Sequence, residues 1–238
     1  MIPALKALSA LLCYPDAELM AALPEVRAAI RRDPAFSRSA QSALDALCAD
    51  LAACDLLDAQ ANYVDLFDRT RSLSLHLFEH VYGEGRDRGG ALVDLKAVYE
   101  TVGFEAPADE LPDFLPMFAE FCATRTPDEA RKLLAEPAHV IEALAGRLRK
   151  RGSPYAAALD ALAEYAGAEI SQEAELLTPT QEPRDFAALD AAWEETAVSF
   201  GPGAATNECG GDALTARLRH ARRAVATDLN PSRAGAPA

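Results

Sequence analysis

Apolar residues recur at helical spacing along almost the entire chain, and prolines, glycines and capping residues cut that pattern into short lengths. Leu5, Leu8, Leu11 and Leu12 form an i, i+3, i+4 stripe behind Pro3, a residue suited to a first helical turn. Tyr14-Pro15-Asp16 ends that helix, and Asp16 can cap the next, which carries Leu19, Met20 and Leu23. Pro24 and Pro34 bracket a third short piece, Glu25 to Arg32. A longer helix is expected from Ser37 to Cys54, with Leu44, Leu47, Cys48 and Leu51 on one face, and another from Leu56 to Phe67. Thr126-Pro127-Asp128-Glu129 and Ser153-Pro154 read as helix starts, each with a capping hydroxyl and a first-turn proline. Gly103 is placed to stop the helix that holds Leu92, Leu95, Val98 and Tyr99, whereas Gly146 lies inside a helical pattern. Ser72 to Leu77 alternates polar and apolar without a partner strand nearby, so it reads as an extended segment threading between helices and turning helical from Leu77. The pattern predicts an all-α fold. A single compact multi-helix body covers 1–170, and 171–238 supplies an acidic linker, a short amphipathic helix, a basic C-terminal helix and a disordered tail.

Charge narrows the function classes. The 238 residues carry a formal charge of −14 with half of them hydrophobic, enough apolar content to bury a core. So negative a chain does not suit nucleic acid, which needs Lys and Arg to displace counterions, nor docking on anionic lipid. The N-terminus lacks a basic region followed by an unbroken apolar stretch, and no run approaches the roughly 18 apolar residues of a membrane span, so a cytoplasmic protein is expected. Cys13, Cys48, Cys54, Cys122 and Cys209 form no C-x-x-C pair and read as reduced thiols, mostly buried. The charge is uneven. Ten acids between Glu169 and Asp212 face Arg184 alone, and then Arg217, Arg219, Arg222, Arg223 and Arg233 face only Asp228.

Three strings invite a chemical reading. His76-Leu77-Phe78-Glu79-His80 matches H-x-x-E-H, in which two histidines one helical turn apart hold zinc and the glutamate serves as base. A catalytic zinc needs a third protein ligand, and Gly83-Glu84-Gly85 breaks the helix before Asp87, Asp94 or Glu100. The competing reading is two polar histidines lining a helical groove. Gly83 to Gly90 matches neither phosphate-loop spacing and reads as a charged turn before a helix, with Arg86 and Arg88 available to pair with a carboxylate or an anion. In Glu110 to Pro116, Asp113 reads as the cap of a helix whose apolar face is Leu115, Phe118, Ala119, Phe121 and Cys122. No G-x-S-x-G occurs, and Cys209 has no neighbouring base in sequence.

Tyr63 to Arg69, Arg71 to Val81 and Gly83 to Gly89 together resemble the signature of the NarJ family, assembly chaperones of respiratory nitrate reductase within a wider group of all-helical maturation chaperones for molybdenum enzymes. Glu110-Leu111-Pro112-Asp113 with Leu115-Pro116 is similar to that family's E-L-P-D-H-L-P block, with Phe114 where the family usually has His. Leu189 to Glu195 and Cys209 to Asp212 extend the likeness. The resemblance implies a non-catalytic cytoplasmic chaperone without a cofactor of its own. It would bind the catalytic subunit of nitrate reductase, chiefly its N-terminal segment, and keep it competent for molybdenum cofactor and iron–sulfur insertion, with cofactor delivery proteins as further partners.

On that reading a client peptide would occupy a groove built from the Tyr63–Phe67 helix, the Ser72–His80 segment and the helix after Pro112. The expected site comprises Tyr63, Asp65, Leu66, Phe67, Asp68, Arg69, Leu75, His76, Phe78, Glu79, His80, Arg86, Arg88, Pro112, Asp113 and Phe114. The opposing reading makes Tyr63, Leu66 and Phe67 core and Asp65, Asp68 and Arg69 a solvated face. A zinc hydrolase built on His76, Glu79 and His80, or a chaperone for another molybdenum oxidoreductase, are the rival functions.

Overall fold

A computed structural model describes residues 1–83, 86–107 and 110–167. The elements expected in 171–238, and Cys209, lie outside the described residues. Within them the protein is all-α. The helices are α1 (Pro3–Leu12), α2 (Ala17–Arg32), α3 (Arg38–Ala53), α4 (Leu56–Tyr63), α5 (Leu77–Tyr82), α6 (Arg86–Thr101), α7 (Leu115–Ala123), α8 (Pro127–Ala135), α9 (Ala138–Lys150) and α10 (Ala156–Ala166).

Local chemistry sets most boundaries. The Asp16 carboxylate accepts from the Leu19 N–H at 2.7 Å, and Ser37 Oγ accepts from the Ala40 N–H at 3.2 Å. Thr126 and Glu129 form a reciprocal capping box at the start of α8. Gly103 ends the α6 region with φ +73°, a left-handed conformation that a side chain rarely adopts. Two expectations fail. α2 runs straight through Pro24 rather than breaking there. The proline is exposed, so the Met20 carbonyl that it cannot bond faces outward, while Leu19, Leu23, Val26 and Ile30 keep one continuous buried face. The Ser153-Pro154 start is displaced too: Ser153 to Tyr155 form a turn and α10 begins at Ala156.

The core is organised around α1, α7 and α10. α1 packs against α7, α2 and α10, and α10 packs against α9, α8 and α3. α7 (Leu-Pro-Met-Phe-Ala-Glu-Phe-Cys-Ala) is apolar nearly all round, as a helix enclosed on every side must be. Five alanines of α10 are buried, and such short side chains let neighbouring helices approach closely. Polar ties pin the α1–α7 pair: the Ile2 N–H donates to Ala123 O at 2.6 Å, and Ser9 Oγ donates to Pro116 O at 2.7 Å. Cys13, Cys48, Cys54 and Cys122 are free thiols, and burial pushes those of Cys13 and Cys48 up to about 11. Among the described residues no helix is long and apolar enough to cross a membrane.

Candidate functional site

The alternating segment behaves as its pattern suggests. After α4 the chain continues through a π-helical turn (Val64–Asp68) and a 3₁₀ turn (Arg71–Leu73), then runs extended to His76, where α5 begins. Its partner is the loop before α7. His76 and Phe114 form a single antiparallel bridge, flanked by Leu77 N–H to Asp113 O at 3.0 Å and Leu115 N–H to Leu75 O at 2.8 Å. The two sequence blocks that carry the family resemblance thus meet backbone to backbone.

Asp113 locks the junction. Its side chain is fully buried. It is not the cap of α7, whose N-cap is Phe114 without a side-chain bond. Instead one carboxylate oxygen accepts from the Phe78 N–H at 3.0 Å, satisfying a free amide in the first turn of α5. The other faces His76 Nδ1 at 3.2 Å. Arg88 of α6 reaches Glu79 at 3.2 Å and stands 3.9 Å from the Asp113 carboxylate. The correction has a simple cause: the extended strand-like pairing turns Asp113 away from its own helix and onto the start of α5. Pro112 is fixed as well, because the buried Tyr99 hydroxyl donates to its carbonyl at 2.7 Å.

The two histidines part company. His76 is the non-helical residue before α5, with φ −84° and ψ 107°, and its ring lies 5.4 Å from that of Phe114. The hydrogen bond to Asp113 raises its pKa above the usual value, against the opposing effect of burial. His80 Nε2 donates to the Ser74 carbonyl at 2.8 Å, and burial lowers its pKa. The i, i+4 geometry that zinc needs is absent because the first histidine lies outside the helix. Among the described residues no group of three His, Cys, Asp or Glu is arranged to hold a metal ion.

Several residues expected to line a groove are core instead. Tyr63, Phe67, Leu75 and Phe78 are each no more than 5% exposed. The Tyr63 hydroxyl donates to Leu12 O at 2.9 Å, and its ring lies 4.8 Å from Phe67, which meets Tyr155 edge-on at 5.3 Å. This aromatic cluster joins α4 to the start of α10. Asp65, Asp68 and Arg69 are exposed, with Asp65 and Arg69 paired at 3.2 Å across one helical turn. Leu66, His76, Glu79, His80, Arg88 and Phe114 are partly accessible, and Arg86 opens α6. The accessible face therefore consists of His76, Glu79, Arg88 and Phe114 above buried Asp113. Sequence reasoning missed Tyr99, Ser74 and Arg147, whose guanidinium donates to Ser72 O at 2.5 Å. Two of the three ties end on backbone carbonyls of the threading segment, which no side-chain pattern marks.

Comparison with known proteins agrees with the residue blocks. Residues 33–161 match the family described as nitrate reductase delta subunit. The chain is 42% identical over 220 residues, 92% of each protein, to the nitrate reductase molybdenum cofactor assembly chaperone NarJ of Escherichia coli (strain K12). It is 41% identical over 199 residues to the probable chaperone NarW of the same strain, covering 82% of this chain and 83% of that protein. It is 35% identical over 166 residues to the probable NarJ of Bacillus subtilis (strain 168), covering 66% and 84%. This chain belongs to the nitrate reductase delta subunit family, the NarJ-type assembly chaperones.

Proposed function

We propose that this protein is an assembly chaperone, not an enzyme, and that its client is the catalytic subunit of a respiratory nitrate reductase. It binds chiefly the N-terminal segment of that subunit in the cytoplasm and keeps it competent for molybdenum cofactor and iron–sulfur cluster insertion. The observation that carries this reading is the near end-to-end match with a relative named as a nitrate reductase molybdenum cofactor assembly chaperone. The geometry supports a binding role: the motif residues build a hydrogen-bonded junction around the buried Asp113 carboxylate, and they leave His76, Glu79 and Phe114 partly accessible, with Arg88 beside Glu79.

In this proposal the client lays an apolar side chain against Phe114 and the His76 ring and meets Glu79 with a basic group. Exposed ion pairs contribute about 0.2–1 kcal/mol each, so apolar contact supplies most of the affinity and charge mainly speeds encounter. Calorimetry with a peptide from the N-terminus of the nitrate reductase catalytic subunit tests it. Phe114→Ala is expected to weaken binding about ten-fold, the effect of losing one moderate anchor of about 1.4 kcal/mol. A peptide from a different molybdenum oxidoreductase that binds while the nitrate reductase peptide does not would transfer the role to another client.

A further inference from the structure

A cleft of about 340 Å³ lies between α3, α4, the π-helical turn and the turn before α10, and none of His76, Glu79, Arg88, Asp113 or Phe114 lines it. Its floor is apolar, with Leu47 and Leu51 from α3, Leu66 from the π-helical turn, and Pro154 and Tyr155 ahead of α10. The size lies within the range of sites that accept a few side chains. One feature sets its shape. The π-turn that contributes Asp65 and Leu66 is a rare distortion, and such turns concentrate where a helix is shaped for contact. The rim is mixed in charge, with Asp50 and Asp65 opposite Arg151. Asp50 has no ion-pair partner among the described residues, and Asp65 has only its exposed pairing with Arg69.

The chain itself supplies an occupant of matching chemistry. Past Gly167 an acidic stretch leads to Leu214-Thr-Ala-Arg-Leu-Arg-His-Ala-Arg-Arg-Ala-Val225. Leu214, Leu218, Ala221 and Val225 fall at the spacing of one helical face, and Arg217, Arg219, Arg222 and Arg223 surround that face. This is the pattern of a segment that lays an apolar stripe into a groove and meets acids at its edge. Reach is ample. α10 starts at the cleft and its 11 residues carry the chain only about 16 Å away. The connection from Gly167 to Leu214 would span roughly 35–40 Å even as a random coil. A tether of that length holds the segment at an effective concentration near millimolar, so a weak contact suffices.

We propose that the basic amphipathic stretch Leu214–Val225 docks in this cleft of its own chain, its apolar face on Leu47, Leu51 and Leu66 and its arginines beside Asp50 and Asp65. The assignment is independent of the client proposed above and places the tail on residues other than His76 and Phe114.

Cys54 lines the cleft and gives a direct readout in the full-length protein. Alkylation is followed by peptide mass spectrometry so that each cysteine is scored separately. In the unaltered chain Cys54 is expected to react at least five-fold more slowly than in Leu214→Asp/Leu218→Asp, with Cys13 unchanged. Asp50→Lys/Asp65→Lys should release it similarly, and adding Arg217→Glu/Arg222→Glu to those lysines should restore protection. Equal reactivity in the unaltered and leucine-substituted chains overturns the proposal, since the tail then lies elsewhere. Protection that disappears on dilution also overturns it, because the occupant is then the tail of a second copy.

Discussion

Removing the Asp113 carboxylate tests whether the junction is built as described. In Asp113→Ala the Phe78 N–H loses its acceptor inside the protein, His76 loses its partner, and Arg88 keeps only Glu79. An orphaned buried amide alone costs about 1–3 kcal/mol. Removing one member of a buried charged network costs about 3–5 kcal/mol in total. With a urea slope of about 2 kcal/mol/M, the unfolding midpoint falls by roughly 1.5–2.5 M. Asp113→Asn retains an oxygen for the Phe78 amide and gives up only the charge, so its loss is smaller, about 1–2 kcal/mol. Both variants should also lower the His76 pKa, because the hydrogen bond that raises it is weakened or gone while burial still opposes the charge. Urea denaturation followed by circular dichroism gives the first quantity and a histidine NMR titration gives the second. If the alanine variant unfolds within 1 kcal/mol of the parent and His76 titrates unchanged, Asp113 does not hold the two segments together.

Other consequences can be checked on the same protein. His76 has a folded pKa above its unfolded value of about 6.5, so its contribution is full below that pH and is lost as pH rises through the folded value. His80 is shifted down, so its contribution is present above about pH 6.5 and is lost as pH falls toward and through the folded value. NMR should show the two titrating on opposite sides of free histidine, and coincident curves would contradict the assigned bonds. Tyr63→Phe should destabilise by about 1–3 kcal/mol, since it orphans the Leu12 carbonyl, whereas Tyr155→Phe removes an unpartnered hydroxyl and should be neutral or stabilising. Equal losses in denaturant melts would refute that contrast. Gly146→Ala lies mid-helix with only Arg149 Nη2 nearby, at 3.8 Å, and should raise stability by about 0.5–1 kcal/mol in the same assay.

The helices were legible because their signals are local. Asp16 and Thr126 act on amides within three residues, and both caps read from sequence are found in the fold, whereas Ser153 makes no cap to α10. Pro24 misled because its cost depends on which way the bereft carbonyl faces, a tertiary fact. Asp113 misled more instructively. Its place before Leu115-Pro116 is that of an N-cap, yet the acceptor it supplies goes to a helix 35 residues earlier in the chain. The alternating stretch from Ser72 to Leu77 is extended only from Ser74 to His76, after a 3₁₀ turn through Leu73, and its partner, a single bridge to Phe114, could not be found by a search for strands. Tyr63 and Phe67 show the remaining limit. Helical spacing says that they share a face, and only packing against Tyr155 says that the face is inward.

The H-x-x-E-H string illustrates how a motif acquires its meaning from one dihedral angle. Had His76 been helical, its ring would sit one turn below that of His80, with Glu79 beside them, and a third ligand would be worth seeking. At ψ 107° it leaves the helix, takes Asp113 as partner and exposes its ring edge beside Phe114, while His80 turns to the Ser74 carbonyl. Each polar group in the string then serves to fasten the threading segment: His80 to its own backbone, Glu79 to α6 through Arg88, and His76 to the loop before α7. The position of Phe114 follows from the same arrangement. Its backbone makes the bridge whatever side chain it carries, so a substitution at this position leaves the bridge in place. What such a substitution alters is the accessible surface beside His76, the part of the junction proposed above to meet the client.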